Sequence, residues 1–151
     1  MRIEPDDVSR PEVVALVEYH LRSMHEISPP DSVFALDLSG LRHPSVTFWT
    51  ARDGDDLLGM GGLKQLDAEH GEIKSMRTAP SALRRGVARA ILDHIVREAR
   101  TRGYRRLSLE TGSNAPFVPA WALYERAGFV PCAPFGSYTD IGFSRYFSIE
   151  L

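Results

Sequence analysis

The sequence predicts an α+β domain built on a single mixed sheet of about six to seven strands flanked by about four helices. Three observations carry this expectation. Asp53-Gly54-Asp55-Asp56 has hairpin-turn chemistry and stands between two apolar stretches, so the early part of the sheet is antiparallel. Residues 72–111 read as strand, long amphipathic helix, strand. This is a βαβ unit, which makes its two strands parallel and neighbouring. The chain has 151 residues, 43% of them hydrophobic and 25% charged. That length and balance suit one globular domain over residues 1–151 with a core of its own.

In chain order, residues 1–4 form a short first strand. Ser9 opens a helix, with Glu12 at capping-box spacing and Pro11 tolerated in the first turn. Val13, Val14, Leu16, Val17, Leu21 and Met24 give that helix an apolar face. His25-Glu26-Ile27-Ser28-Pro29-Pro30 breaks it, residues 31–36 add a short helical turn, and Ser39-Gly40 and His43-Pro44 mark loop. This irregular stretch is either a surface crossover or one wall of a substrate pocket.

Residues 46–51 are β-branched and aromatic, hence a strand, and residues 57–66 return from the hairpin. Gly59, Gly61 and Gly62 do not have the spacing of a dinucleotide loop, and no helix follows them. They predict a strand that something approaches closely. Residues 72–78 form the next strand. A helix over about 83–102 has Ala88, Ile91, Leu92, Ile95, Val96 and Ala99 on one side, an Asp93–Arg97 pair on the other, and Gly103 as its stop. Residues 105–111 alternate as a strand. Pro119 opens a short helix over 120–127 that Gly128 ends, 129–132 is a strand, and 144–151 closes the sheet as an edge strand.

Composition excludes several classes. The formal charge of -2 and a pI near 6.2 do not favour a general nucleic-acid surface. The single cysteine, Cys132, rules out an intrachain disulfide and lacks the partners of a nucleophile. Neither an H-x-x-x-H pattern nor a carboxylate cluster points to a metal. No apolar run reaches the ~18 residues of a membrane span, and the start has no signal-peptide pattern. The expectation is a cytoplasmic protein that binds neither nucleic acid nor membrane.

The informative stretch is 72–102. Adjacent arginines, Arg84 and Arg85, precede Gly86 and Ala88 at a helix start. Unpaired N–H groups and the positive end of the helix dipole seat an anion there, and small residues let a phosphate approach the backbone.

These residues resemble the GCN5-related N-acetyltransferase (GNAT) superfamily, small bacterial members in particular. Met76 and Thr78 end a strand, Pro80 is the loop proline, and Leu83-Arg84-Arg85-Gly86-Val87-Ala88 fills the motif Q/R-x-x-G-x-G/A, with Leu83 in place of the usual Gln or Arg. Ala120-Trp121-Ala122-Leu123-Tyr124-Glu125-Arg126-Ala127-Gly128-Phe129 is similar to the family's A-x-x-L-Y-x-x-x-G-F. The asparagine that often precedes that tyrosine by seven residues is replaced by Phe117, and Asn114 is offset.

The resemblance implies a cleft for acetyl-CoA between two splayed parallel strands, with no metal. Arg84, Arg85, Gly86, Val87, Ala88 and Arg89 would hold the phosphates. Met76, Arg77 and Thr78 would flank the pantetheine arm. Tyr124 would be the general acid that protonates the leaving thiolate, and Glu72, four residues before Met76, the general base. His25, Glu26 and Glu110 are rivals for the base, and water can relay the proton. His25, Glu26, Phe34, Phe117 and Tyr138 are candidates for the acceptor pocket, between residues 25–30 and 135–138. The implied reaction moves an acetyl group from acetyl-CoA to an amine, of a small molecule before a protein. The alternative is a non-catalytic acyl-CoA-binding module. A Rossmann-type site, with Glu110 some 24 residues after Gly86, fails for want of the glycine fingerprint. A homodimer through an edge strand or the C-terminal strand completes the expectations.

Overall fold

A computed structural model describes residues 1–151. Its strands are Arg2–Pro5 (β1), Val46–Asp53 (β2), Asp56–Gln65 (β3), His70–Thr78 (β4), Arg106–Gly112 (β5), Val130–Pro131 (β6) and Ser144–Glu150 (β7). They form one seven-stranded mixed sheet in the order β1-β2-β3-β4-β5-β7-β6. Four α-helices flank it: Pro11–Ile27 (α1), Leu38–Leu41 (α2), Val87–Thr101 (α3) and Val118–Arg126 (α4). No helix is long and apolar enough to cross a membrane.

The antiparallel half follows from its turns. Asp53 pairs with Asp56 across Gly54, which takes φ +58. β4 and β5 are the parallel pair, in register His70↔Arg106 to Glu72↔Ser108. The C-terminal strand differs from expectation. β7 lies between β5 and β6 and pairs with β5 from Arg106↔Glu150 to Gly112↔Ser144. It is therefore not the edge strand, although the two-residue β6 covers it only at Phe147 and Ser148. The edges are β1 and the two-residue β6.

Side-chain alternation along β3 and β4 assigns the helices to faces. Gly59 and Gly61 face α3. A Cβ at Gly61 would sit 2.7 Å from Ile91 Cγ2 and 2.8 Å from Met76 Sδ. These glycines serve close helix–sheet approach, as their spacing suggests. The buried stripe of α3 is Val87, Ile91, Leu92, Ile95 and Ala99. Val87 rather than Ala88 turns into the core, four residues before Ile91 and against Gly59, while Ala88 faces the cleft. Asp93 pairs back to Arg89 at 2.9 Å, not forward to Arg97.

On the other face α1 leans against β4, where Arg77 Nε–H donates to His20 Nδ1 at 2.9 Å. No side chain caps α1. Ser9 is held by Asp7, and Glu12 is engaged by Arg52 at 3.0 Å. The helix continues through His25 and Glu26 to Ile27, stopping only where Pro29-Pro30 cannot continue it. Ser39-Gly40 belongs to α2, because Asp37 accepts from the Gly40 N–H at 2.8 Å. A cluster of 25 buried apolar residues joins both faces of the sheet.

Two outcomes follow. Gly61→Ala should lower stability by ~1–3 kcal/mol, the usual cost of overpacking, as a reduced midpoint in urea. An unchanged midpoint would contradict the close approach of α3. Burial and the Arg77 charge push His20 from 6.5 down to about 3. The unfolded chain then binds the extra proton, so stability is full above about 6.5. It falls as pH drops from there towards 3, at up to ~1.4 kcal/mol per unit. His20→Asn should flatten that slope in chemical unfolding at stepped pH.

Candidate active site

β4 and β5 pair over only three residues and then part. Beyond Glu72 the edge of β4 that faces β5 has no strand partner, while β5 remains fully paired to β7. The opening coincides with an irregularity. The β3–β4 register jumps from Gly62↔Lys74 to Met60↔Arg77, so Ser75 and Met76 together oppose Gly61. Ser75 sits at φ +56, a left-handed conformation that costs a serine ~1 kcal/mol or more. Its buried Oγ has no hydrogen-bond partner. The resulting cleft encloses about 570 Å³ and is lined by residues of α1, β4, β5 and α4.

At one end of the cleft lies the start of α3. Gly86, at φ +75, is its N-cap, and the helix ladder begins with Ala90 N–H to Gly86 O. The N–H groups of Val87, Ala88 and Arg89 precede that first bond, and no side chain caps them. The helix does not reach back to residue 83, because both Arg84 (φ +63) and Gly86 are left-handed. Residues 83–86 thus form a loop before an open, electropositive helix end. Leu83, 61% exposed, and Ala88 line the cleft. Arg85 lies 3.8 Å from Asp53 and Arg89 is paired with Asp93. Arg84 has no carboxylate within 4 Å.

Tyr124 comes from α4. Trp121 anchors this helix over the end of β5 by donating from Nε1 to Thr111 Oγ1 (2.9 Å) and to Gly112 O (3.1 Å). Tyr124 is 6% exposed, packs edge-on to Phe129 and lines the cleft. Burial raises its phenol well above the ordinary value of 10, which keeps the proton in place at neutral pH. Its hydroxyl makes no hydrogen bond to the protein.

The acidic groups meet at the other wall. Glu72 and Lys74, two apart on β4, share one face of the strand and form a buried ion pair of 3.2 Å. Tyr138 O–H donates to the same Glu72 oxygen at 2.6 Å. Lys74 Nζ also reaches Tyr138 Oη (3.0 Å) and Phe34 O (3.1 Å). The Tyr138 phenol is pushed upwards by burial and then by the Glu72 charge. Glu110, from β5, accepts a hydrogen bond from Ser144 at 2.7 Å and has no cation within 4 Å. Burial raises its carboxyl above the usual 4.5, against the pull of Ser144 and Lys74.

The cleft thus brings together Glu72, Met76, Arg77, Thr78, Ala88, Tyr124, Glu110, Glu26, Phe34 and Phe117. It does not include His25, and Tyr138 stands behind Glu72 rather than on the lining. Arg84, Arg85, Gly86, Val87 and Arg89 surround the helix start without lining the cavity, and Val87 is core. Asn114 tethers its loop to the end of α1 by donating to Ile27 O at 2.8 Å. Lys74, Ser75 and His20 escaped sequence reasoning. Lys74 left a signal, a basic residue at i+2 from Glu72 within a strand that is otherwise buried. Ser75 left none.

Comparison with known proteins agrees with this geometry. The model of the Acetyltransferase (GNAT) family matches residues 13–129. YsnE of Bacillus subtilis (strain 168), an uncharacterized N-acetyltransferase, is 57% identical over 140 residues, 93% of this chain and 93% of its own length. YedL of Escherichia coli (strain K12), also an uncharacterized N-acetyltransferase, is 51% identical over 149 residues, 99% of this chain and 94% of its own. The solved structure of a GNAT family acetyltransferase from Elizabethkingia anophelis with acetyl-CoA bound shares the fold. Its TM-score is 0.71 at 19% identity, over 99% of this chain and 97% of that one. With a mixed sheet parted at its parallel pair and relatives of this likeness, the chain belongs to the GNAT acetyltransferase family and is an acyltransferase.

Proposed function

We propose that residues 1–151 act as one N-acetyltransferase unit that moves the acetyl group of acetyl-CoA to the amine of a small molecule. The observation that carries this reading is the free hydroxyl of Tyr124, held protonated in a cleft between an open helix start and an acidic wall. A cleft of about 570 Å³ suits a small acceptor better than a protein surface.

The pyrophosphate lies at the N–H groups that open α3, and the unpaired Arg84 is the arginine best placed to take a further phosphate. The pantetheine arm runs along the open edge of β4, its amides meeting the backbone of Met76 to Thr78 as a strand would. The amine nitrogen attacks the thioester carbonyl carbon, a C–N bond forms, and the C–S bond breaks. Tyr124 donates its hydroxyl proton to the departing sulfur. Burial keeps the phenol protonated until a thiolate forms beside it to take the proton.

For the proton leaving the amine, the arrangement favours Glu110 over Glu72. Glu72 Oε2 already holds Lys74 and Tyr138, so its role is to organise that wall. Glu110 accepts from Ser144 alone, and its raised carboxyl lies nearer the working pH of a general base.

Thiol release from acetyl-CoA across a panel of amines tests the reaction. If no amine accelerates release while acetyl-CoA still raises the melting temperature, the chain is an acyl-CoA-binding module instead. Tyr124→Phe should lower kcat by ~10–100-fold at unchanged fold; an unaltered kcat removes the acid role. Glu110→Gln should cost kcat/KM by a similar ~10–100-fold. It should also abolish the acidic limb of the pH profile, which in the native enzyme rises through a pKa above 4.5. A retained limb, abolished instead in Glu72→Gln, would return the base to Glu72.

A further inference from the structure

We infer that the acceptor amine carries a carboxylate, as a free amino acid does, and that the guanidinium of Arg77 is the group that docks it. This rests on the acetyltransferase reading and narrows its substrate class.

Two strong cations, Lys74 and Arg77, line the cleft, and they are in opposite states. Lys74 is used up internally, its three donors directed to Glu72, Tyr138 and Phe34 O. Arg77 has no carboxylate within 4 Å. It is half-buried between β4 and α1, with its guanidinium over the Tyr19 ring at 5.5 Å. Its one hydrogen-bond partner from a side chain is His20, which accepts from Nε at 2.9 Å. That partner brings no negative charge, since the His20 imidazole that accepts at Nδ1 is neutral.

The pair therefore fixes the orientation of the guanidinium and leaves both Nη groups without a protein acceptor. A partly desolvated arginine without a counter-charge is costly, and its planar fork matches a carboxylate bidentately. Nothing in the chain supplies that carboxylate at this point, and the fork stays open to one from a ligand. The phosphates of acetyl-CoA are the other anionic source, but the open helix start that suits them belongs to α3, on the opposite face of the sheet from α1. Arg77 lines the same cavity as Tyr124 and Glu110. One acceptor can thus present its amine to the reacting centre and its acid group to Arg77.

The test uses the full chain and follows thiol release from acetyl-CoA. The acceptors are the twenty common L-amino acids, the methyl ester and decarboxylated amine of each one that turns over, and the carboxylate-free amines spermidine and tyramine. For the best acid, kcat/KM should exceed that of its ester and its decarboxylated form by at least ~30-fold, since a site built for a polar group rejects analogues lacking it. In Arg77→Met that ratio should collapse to within about three-fold through the acceptor KM. Arg77→Lys, which keeps the charge but not the fork, should retain part of it. A merely structural Arg77 would depress acids and esters alike and leave the ratio intact, which overturns the inference.

So would an Arg77→Met variant whose acetyl-CoA KM rises in place of the acceptor KM, for Arg77 would then contact a phosphate. Turnover of spermidine or tyramine with none of the acids accepted defeats this inference alone. If no amine of either kind accelerates release, the acetyltransferase reading falls with it.

Discussion

The parting of β4 from β5 is the constraint on which the rest of the molecule depends. Parallel strands that separate expose backbone N–H and C=O groups that must find partners elsewhere. Here each wall is anchored on its far side. β5 is paired along its whole length with β7, and β4 is held by β3 and by α3 packed against Gly59 and Gly61. The cleft can therefore stay open without either strand unravelling. The strained Ser75 marks the point where β4 leaves the regular ladder, and its buried, unpartnered hydroxyl is a second cost stored at the same place. A chain pays such costs where a ligand recovers them.

Electrostatics divide the cleft into a closed part and an open part. In the closed part, Glu72, Lys74 and Tyr138 satisfy one another and tie the loop at Phe34 and the segment 134–142 to β4. Removing one member of such a buried pair leaves a bare charge, worth ~3–5 kcal/mol against the fold, whereas the intact pair adds little net stability. Its value is positional: it holds two irregular segments as a rigid wall. In the open part, Arg77, Glu110 and Tyr124 each have bonding capacity that the protein does not use. Such unused capacity on a rigid frame is what a binding and catalytic site requires.

Much of this was legible along the chain. The hairpin at Gly54, the βαβ unit, the close-approach glycines of β3 and the helix ended by Gly128 all express local rules, and each stands near its expected place. The two motifs located Tyr124 and the helix start for the same reason: their meaning lies in short-range geometry. The misreadings were of two kinds. Ser9 looked like a cap and residues 83–86 like helix, but the backbone at Arg84 and Gly86 turns left-handed, and Asp7 and Arg52 drew off the capping side chains. The C-terminal strand looked like an edge, because alternation says which residues form a strand and not which strands lie beside it.

The sequence by itself determined the periodic elements, the open helix start and the tyrosine in its motif, since each depends on residues within a few positions of one another. Only the tertiary structure decided which charges are spent and which are free. Tyr138 meets Glu72 across 66 positions, Lys74 meets Phe34 across 40, and Arg77 meets His20 across 57. No local rule relates residues so far apart. Whether a carboxylate serves as base or brace, and whether an arginine is paired or waiting, follows from what folding places beside it. The stretch from β4 into α3 was readable as a place for an anion, and the fold turned Arg77 of that same stretch towards α1, away from the helix start.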